Sequence, residues 1–266
     1  MATATTDTTT ATARSRATLR ARPRALKLAA AEPERVADGV WLVRGGLTRA
    51  MNVYLVEDGD GVVVFDAGEK GMAVPVAQAA ERLGGIKRIV LGHADTDHRG
   101  SAPALKALAP VHCHPDAIQY AEGRGGREYW RTDELPAHVR RFHGFMHDHV
   151  WDGGPVEIDG TVQEGDEVAG FQVVDLPGHA PGLIGLWRES DRVAIVTDCF
   201  YLTDMYGREV PAQVPEPAYN FDTDQARESI AKLARLDPVV ALPGHLGPLG
   251  GPDVREQLER AAREPR

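Results

Sequence analysis

The chain has 266 residues, 42% hydrophobic and 26% charged, with a formal net charge of −9 and two cysteines. This ordinary globular mix is long enough to bury a large core. It argues against an extended basic nucleic-acid surface and a disulfide framework, and no run of about 18 apolar residues offers a membrane-spanning helix.

Charge is unevenly spread along the chain. Residues 1–31 hold Arg14, Arg16, Arg20, Arg22, Arg24 and Lys27 against Asp7, a net +5 that leaves −14 on the remainder. Residues 1–35, rich in Ala, Thr and Arg and without an apolar cluster, read as a disordered tail. The same Arg-rich, acid-poor composition also fits an organelle transit peptide, whereas an apolar secretion-signal stretch is missing. A cytoplasmic location and a single domain over 36–266 are expected.

Three strands come in succession, Val40–Val43, Val53–Val56 and Val62–Phe65, with the hairpin signal Asp58-Gly59-Asp60-Gly61 between the last two. A helix with Pro75 in its first turn stops at Gly84-Gly85. Arg88–Leu91 and Val111–His114 are the next strands, with a short helix around Ala102–Leu108 between them. Residues 119–151 carry Tyr120, Tyr129, Trp130, Phe142, Phe145 and Trp151 together with His138, His143, His147 and His149. This segment reads as a lid supplying an apolar pocket, or as a surface hairpin whose aromatics serve its own packing; its histidines read mainly as polar surface. Phe171–Leu176, Leu183–Trp187 and Val193–Thr197 form a second strand group. Asp222-Thr223-Asp224-Gln225 resembles a capping box opening a helix with Ala226, Ile230 and Leu233 on one face, ended by Asp237-Pro238. Val239–Leu242 is the last strand, and a charged helix closes the chain. Strands in clusters with helices between them predict an α+β fold of two packed sheets with helices outside.

The segment His93-Ala94-Asp95-Thr96-Asp97-His98 places four metal-ligand side chains in six residues, directly after a strand. Gly178-His179 and Gly244-His245 each follow a Leu-Pro pair at a strand end, and Asp198 ends the apolar run Val193–Thr197. A strand holds such a ligand still while its head group emerges at the sheet edge.

In this ordered pattern the chain resembles the metallo-β-lactamase superfamily, a four-layer αββα sandwich. The marks are a strand-end Asp (Asp66), then the 93–98 segment, His179, Asp198 and His245, and the match spans about residues 39–248. By that resemblance His93, Asp95 and His179 hold one ion, and Asp97, His98 and His245 the other. Asp198 bridges them, and Asp66 orients the ligand loop. The family has His where this chain has Asp95, although flavodiiron proteins of the same superfamily carry Glu there. A harder donor set keeps zinc acceptable and makes iron or manganese more favourable.

The resemblance implies a dinuclear metal-dependent hydrolase that uses a metal-bridging hydroxide on a small-molecule ester, lactone or thioester. Asp97 carries the proton to the leaving group. Tyr201, three residues after Asp198, resembles the tyrosine with which acyl-homoserine lactonases polarise the substrate carbonyl; alternatively it packs over the metal loop. The expected partner is a small molecule, without nucleic acid or membrane, and a homodimer is compatible. Only 21 residues follow His245, too few for the C-terminal substrate domain of glyoxalase II. The alternative is a non-haem iron oxidoreductase, persulfide-dioxygenase-like or diiron, on the same fold. His112 and His114 flank Cys113 on a strand edge and read as structural, or one of them as lining the pocket, and Cys199 reads as core.

Overall fold

The computed structural model describes residues 32–46 and 49–264. The expected tail thus lies outside the described residues as far as residue 31. The first strand begins at Glu34, two residues before the expected start of the domain.

Seven strands lie side by side in chain order: β1 (Glu34–Ala37), β2 (Val40–Gly45), β3 (Met51–Asp58), β4 (Gly61–Phe65), β5 (Ile86–Val90), β6 (Val111–Cys113) and β7 (Gly160–Thr161). The first four run antiparallel, and from β4 onward neighbours are parallel. Parallel neighbours need crossovers. These are supplied by α1 (Ala73–Glu81), the single turns α2 (Thr96–Arg99), α3 (Ala102–Leu105) and α4 (Ile118–Ala121), and the longer α5 (Ala137–Met146). The β3–β4 turn is the expected hairpin, pairing Asp58 with Gly61. Gly59 takes the positive φ of 66° that its first turn position requires.

The second sheet is built from β8 (Glu167–Val168), β9 (Phe171–Asp175), β10 (Ile184–Arg188) and β11 (Val193–Thr197). A separate hairpin follows, β12 (Tyr201–Thr203) and β13 (Glu209–Gln213), and then α6 (Thr223–Arg235). The sheet is completed by β14 (Val240–Pro243) and β15 (Leu249–Gly250), and α7 (Val254–Arg263) closes the described chain. Its order is β15-β14-β11-β10-β9-β8, with β11 and β14 parallel.

Strand periodicity divides the apolar residues among the layers. Val63 and Phe65 meet Phe171, Ile184 and Ile195 between the sheets. Their neighbours Val62 and Val64 face the opposite way, onto Val76 and Ala80 of α1. Ala194 and Val196 likewise face Ile230 and Leu233 of α6 and Leu258 of α7. The layers are therefore helix, sheet, sheet, helix, as the strand clusters predicted. Because β4 and β11 are covered on both faces, they read as continuous Val/Ile runs rather than alternating ones. Among the described residues no helix is long and apolar enough to cross a membrane.

Helix α6 starts where the capping signal predicts: the Asp222 carboxylate accepts the Gln225 backbone N–H at 3.0 Å. Gly178 lies against this first turn at φ 126°, where a Cβ would come 2.1 Å from the Ala226 nitrogen. Only glycine allows the loop carrying His179 to pass there.

Candidate metal centre

The C-terminal ends of β4, β5, β9, β11 and β14 release Asp66, the 93–98 segment, His179, Asp198 and His245 at one edge of the sandwich. Asp95 is extended (φ −64°, ψ 149°) and Thr96 then starts the α2 turn. The chain can therefore send His93 and Asp95 to one side and Asp97 and His98 to the other. Among the described residues three groups have their donor atoms within 4.8 Å of one another: His93–Asp95–His179 and Asp97–His98–His245 on the two sides, and Asp66–His93–His98, which shares a histidine with each.

Asp198 sits between the first two groups. Its Oδ2 stands 4.0 Å from His93 Nε2, 3.3 Å from His98 Nε2, 3.6 Å from His179 Nε2 and 3.4 Å from His245 Nε2. His179 Nε2 is 3.2 Å from Asp95 Oδ2, and His245 Nε2 is 3.4 Å from Asp97 Oδ2. Ligands about 2.0–2.1 Å from a tetrahedral ion stand about 3.3–3.4 Å apart, which the spacings of 3.2–3.4 Å match and the Asp198 distances to His179 and His93 exceed. The Nε2 atoms of His93 and His179 and Oδ1 of Asp198 are buried without a hydrogen-bond partner. Such atoms are costly unless something else satisfies them. The donor set thus fits divalent ions.

The other ring nitrogens are tied down from behind. Asp66 accepts the Gly92 N–H on Oδ1 at 2.7 Å, and Oδ2 accepts the Thr197 hydroxyl at 2.7 Å and lies 2.8 Å from His98 Nδ1. Thr197 Oγ1 is in turn 3.1 Å from His93 Nδ1. This chain of donors fixes both imidazoles with Nε2 lone pairs facing inward. The third imidazole is fixed by Asn220, whose Oδ1 is 3.0 Å from His179 Nδ1. The His245 loop is held from the first sheet, where Asn52 and Tyr54 of β3 donate to the Pro243 carbonyl at 2.8 and 2.6 Å. A Cβ on Gly244 would fall 2.2 Å from Asp198 Oδ1, so the Gly-His pair there is a requirement of close approach.

Electrostatics follow from burial and crowding. Burial disfavours charge on His98, yet Asp198, Asp66 and Asp97 together hold its pKa well above the ordinary value. Burial is likewise overcome at His245, which Asp198 and Asp97 push up to about 10. His93 goes the other way, down to about 4, through burial and the neighbouring His98 charge. Asp198 is buried but held well below the carboxylate range by His98 and His245. Ions and protons compete for these imidazole nitrogens.

The centre opens on a cavity of about 360 Å³ lined by Asp95, Asp97, His179, Asp198, Tyr201 and His245 on one side. The opposite wall is Trp130, Val139, Phe142, Met146 and Trp151 from the insertion and Met205 and Tyr206 from the β12–β13 turn. The insertion thus does form a cavity wall, but only part of its aromatic set lines it. Phe145 is 57% exposed, and Tyr120 and Tyr129 stand outside. The Tyr129 hydroxyl instead donates to Asp95 Oδ1. His147 departs from a surface role: it is buried, with Nε2 3.1 Å from Thr96 Oγ1. His143 lines the cavity and hydrogen-bonds the Tyr219 hydroxyl. The Tyr201 hydroxyl donates to Asp198 Oδ2 at 3.0 Å, so it is engaged by the centre itself. Burial and the three carboxylates hold its pKa well above 10, so it remains a donor. His112 and His114 lie outside the cavity, His114 capping the turn at Asp116, and Cys199 is buried in the layer beneath α6 and α7.

Thr197, Asn220, Asn52, Tyr54 and Tyr129 were missed by sequence reasoning. Thr197, adjoining Asp198 at a strand end, had a usable signal. The others have no motif of their own.

The sequence profile of the metallo-beta-lactamase superfamily matches residues 48–245. A Bacillus subtilis protein named as a probable metallo-hydrolase, YflN, is 29% identical over 239 residues, covering 83% of this chain and 89% of that one. The hydroxyacylglutathione hydrolase GloC of Haemophilus influenzae is 26% identical over 153 residues, covering 54% of this chain and 64% of its own length. Among solved structures, a metallo-beta-lactamase family protein of Thermus thermophilus superposes with a TM-score of 0.61 at 24% identity, covering 85% of this chain and 78% of its own. TTHA1623 in a di-iron-bound form superposes with a TM-score of 0.55 at 25% identity, covering 79% and 93%.

Proposed function

Because this chain belongs to the metallo-β-lactamase superfamily and is a metal-dependent hydrolase, we propose that it uses two divalent ions, zinc first, to cleave an uncharged small-molecule ester, lactone or thioester. The observation that carries this reading is the single Asp198 oxygen within 4.0 Å of four histidine Nε2 atoms. His93, Asp95 and His179 would hold one ion and Asp97, His98 and His245 the other, with Asp198 between them. Ions held there supply water of lowered pKa and Lewis-acid polarisation of a carbonyl.

The chain's own residues do the rest. Tyr201, in the cavity wall, would turn its hydroxyl from Asp198 Oδ2 to donate to the substrate carbonyl as charge develops on it. Asp97, ionised and partly open to the cavity, relays a proton to the leaving group. Trp130, Val139, Phe142, Met146 and Trp151 exclude water and take an apolar acyl or aromatic group. Among the described residues no lysine or arginine lines the cavity, which favours a neutral substrate over an anionic glutathione thioester.

The second reading, a non-haem iron oxidoreductase, is favoured by one feature, the carboxylate at Asp95. The di-iron form of TTHA1623 is a precedent for iron in this fold. Elemental mass spectrometry of untagged protein purified without chelator, followed by a lactone, ester and thioester panel, tests both. Two equivalents of zinc or manganese with hydrolysis lost in Asp97→Ala and His98→Ala uphold the hydrolase. Stoichiometric iron with oxygen consumption and no hydrolysis transfers the assignment to the second reading.

A further inference from the structure

Resting on the metal assignment above, we propose that Tyr129 is a positioning residue for the centre, whose phenol occupies one oxygen of Asp95 so that the carboxylate offers the other alone to the ion. Tyr129 follows the helical turn Gly125–Glu128 in the insertion, 34 residues from Asp95. Its hydroxyl donates to Asp95 Oδ1. Asp95 Oδ2 faces the centre, 3.2 Å from His179 Nε2 and 3.7 Å from His93 Nε2. The two oxygens of one side chain are thus committed to different partners.

The division matters because a carboxylate can bind an ion through one oxygen or two, whereas an imidazole offers a single atom. Holding Oδ1 makes Asp95 a one-atom donor at a position where histidine would be one by nature. Tyr129 lies outside the cavity, so it acts through Asp95 and not on a substrate. Its ring is set edge-on to Tyr120 at 5.5 Å and to Phe221 at 5.8 Å, which fixes where the hydroxyl points. Partners behind a metal ligand typically contribute 10–100-fold in affinity.

The test is chelator competition with Zn²⁺ on the full chain, comparing wild type with Tyr129→Phe. Phenylalanine keeps the ring contacts, and circular dichroism and a thermal melt confirm folding. One of the two equivalents is expected to weaken about 10–100-fold while the other is unchanged. The Co²⁺-loaded visible spectrum is expected to shift with it. In an Asp95→His background the same substitution is expected to leave Zn²⁺ affinity unchanged, because imidazole has no second oxygen to hold. A Tyr129→Phe protein that melts earlier in both backgrounds but keeps both Zn²⁺ affinities overturns the proposal and leaves Tyr129 as an anchor of the insertion. A wild-type protein that binds no metal overturns it as well. The comparison does not depend on turnover, so an inactive protein showing the affinity loss refutes the hydrolase reading and upholds this one.

Discussion

Asp66→Asn changes one buried oxygen to nitrogen and should disable the centre without touching a proposed ligand. In the native arrangement Asp66 only accepts: from Gly92 N–H on one oxygen, and from Thr197 and His98 on the other. An asparagine cannot satisfy all three. With its carbonyl toward Gly92, its NH₂ confronts the Thr197 hydroxyl and His98 Nδ1, and His98 must move its proton to Nε2, where it blocks the lone pair needed by an ion. Flipped, the NH₂ meets the Gly92 N–H at 2.7 Å. A 10–100-fold loss of metal affinity is expected, equivalent to about 1.4–2.7 kcal/mol. Losing hydrogen bonds to a buried carboxylate should also cost about 1.5–3 kcal/mol in stability. Chelator competition gives the first quantity, denaturant unfolding of the metal-free protein the second, and long-range ¹⁵N–¹H spectra report the His98 tautomer. An Asp66→Asn protein with native affinity for both ions and an unprotonated His98 Nε2 would refute the reasoning.

Gly244→Ala should lower metal stoichiometry while leaving far-ultraviolet dichroism intact, because the new methyl falls 2.2 Å from Asp198 Oδ1 and 2.5 Å from His98 Cε1; elemental analysis reads the loss. Trp151→Ala removes part of the apolar wall and should raise KM for long-chain esters about tenfold, since burying a large apolar group contributes about 1.5–3 kcal/mol. The effect should shrink as the acyl chain is shortened in steady-state assays. Burial pushes the Cys113 thiol up to about 12 from an ordinary value of 9.0. The folded pKa exceeds the unfolded one, so the stability from the neutral thiol is full below about pH 9 and is lost as pH climbs toward 12. Iodoacetamide at pH 8 should therefore leave Cys113 unmodified until denaturant is added, as mass spectrometry will show.

What could be seen in advance followed from local periodicity and from ligand types at short spacing. Val62–Phe65 and Val193–Thr197 were legible as strands because their β-branched apolar runs are bounded by turn signals. The 93–98 segment was legible because its four donors lie on one loop, and His179, Asp198 and His245 because each sits at the end of an apolar run. The two-residue strands β7, β8 and β15 carry too few side chains to show a period, and β12–β13 is a short hairpin whose strands pair only with each other. The contacts behind the ligands escaped for a different reason. Asn220 reaches His179 across 41 residues, Thr197 reaches His93 across 104, and Tyr54 reaches Pro243 across 189. Such pairings exist only once the two sheets have closed on each other. The aromatic insertion was visible as composition, but composition could not separate Trp130, which lines the cavity, from its neighbour Tyr129, which does not.

The turn that bears the proposed ligands is bolted to the insertion at several points. Asp95 takes the Tyr129 hydroxyl, Thr96 meets His147, and the fully buried Arg99 donates to the Ala121 carbonyl and lies 3.4 Å from Asp152. A flap hinged on this turn would have to break these bonds each time it swung. Phe142 of α5 and Tyr206 of the β12–β13 turn line the cavity and stand half in water. For anyone wishing to re-aim the specificity, the module to transplant is larger than its aromatic wall: Tyr129, His147 and Asp152 must travel with it, or the metal-bearing turn loses its footing.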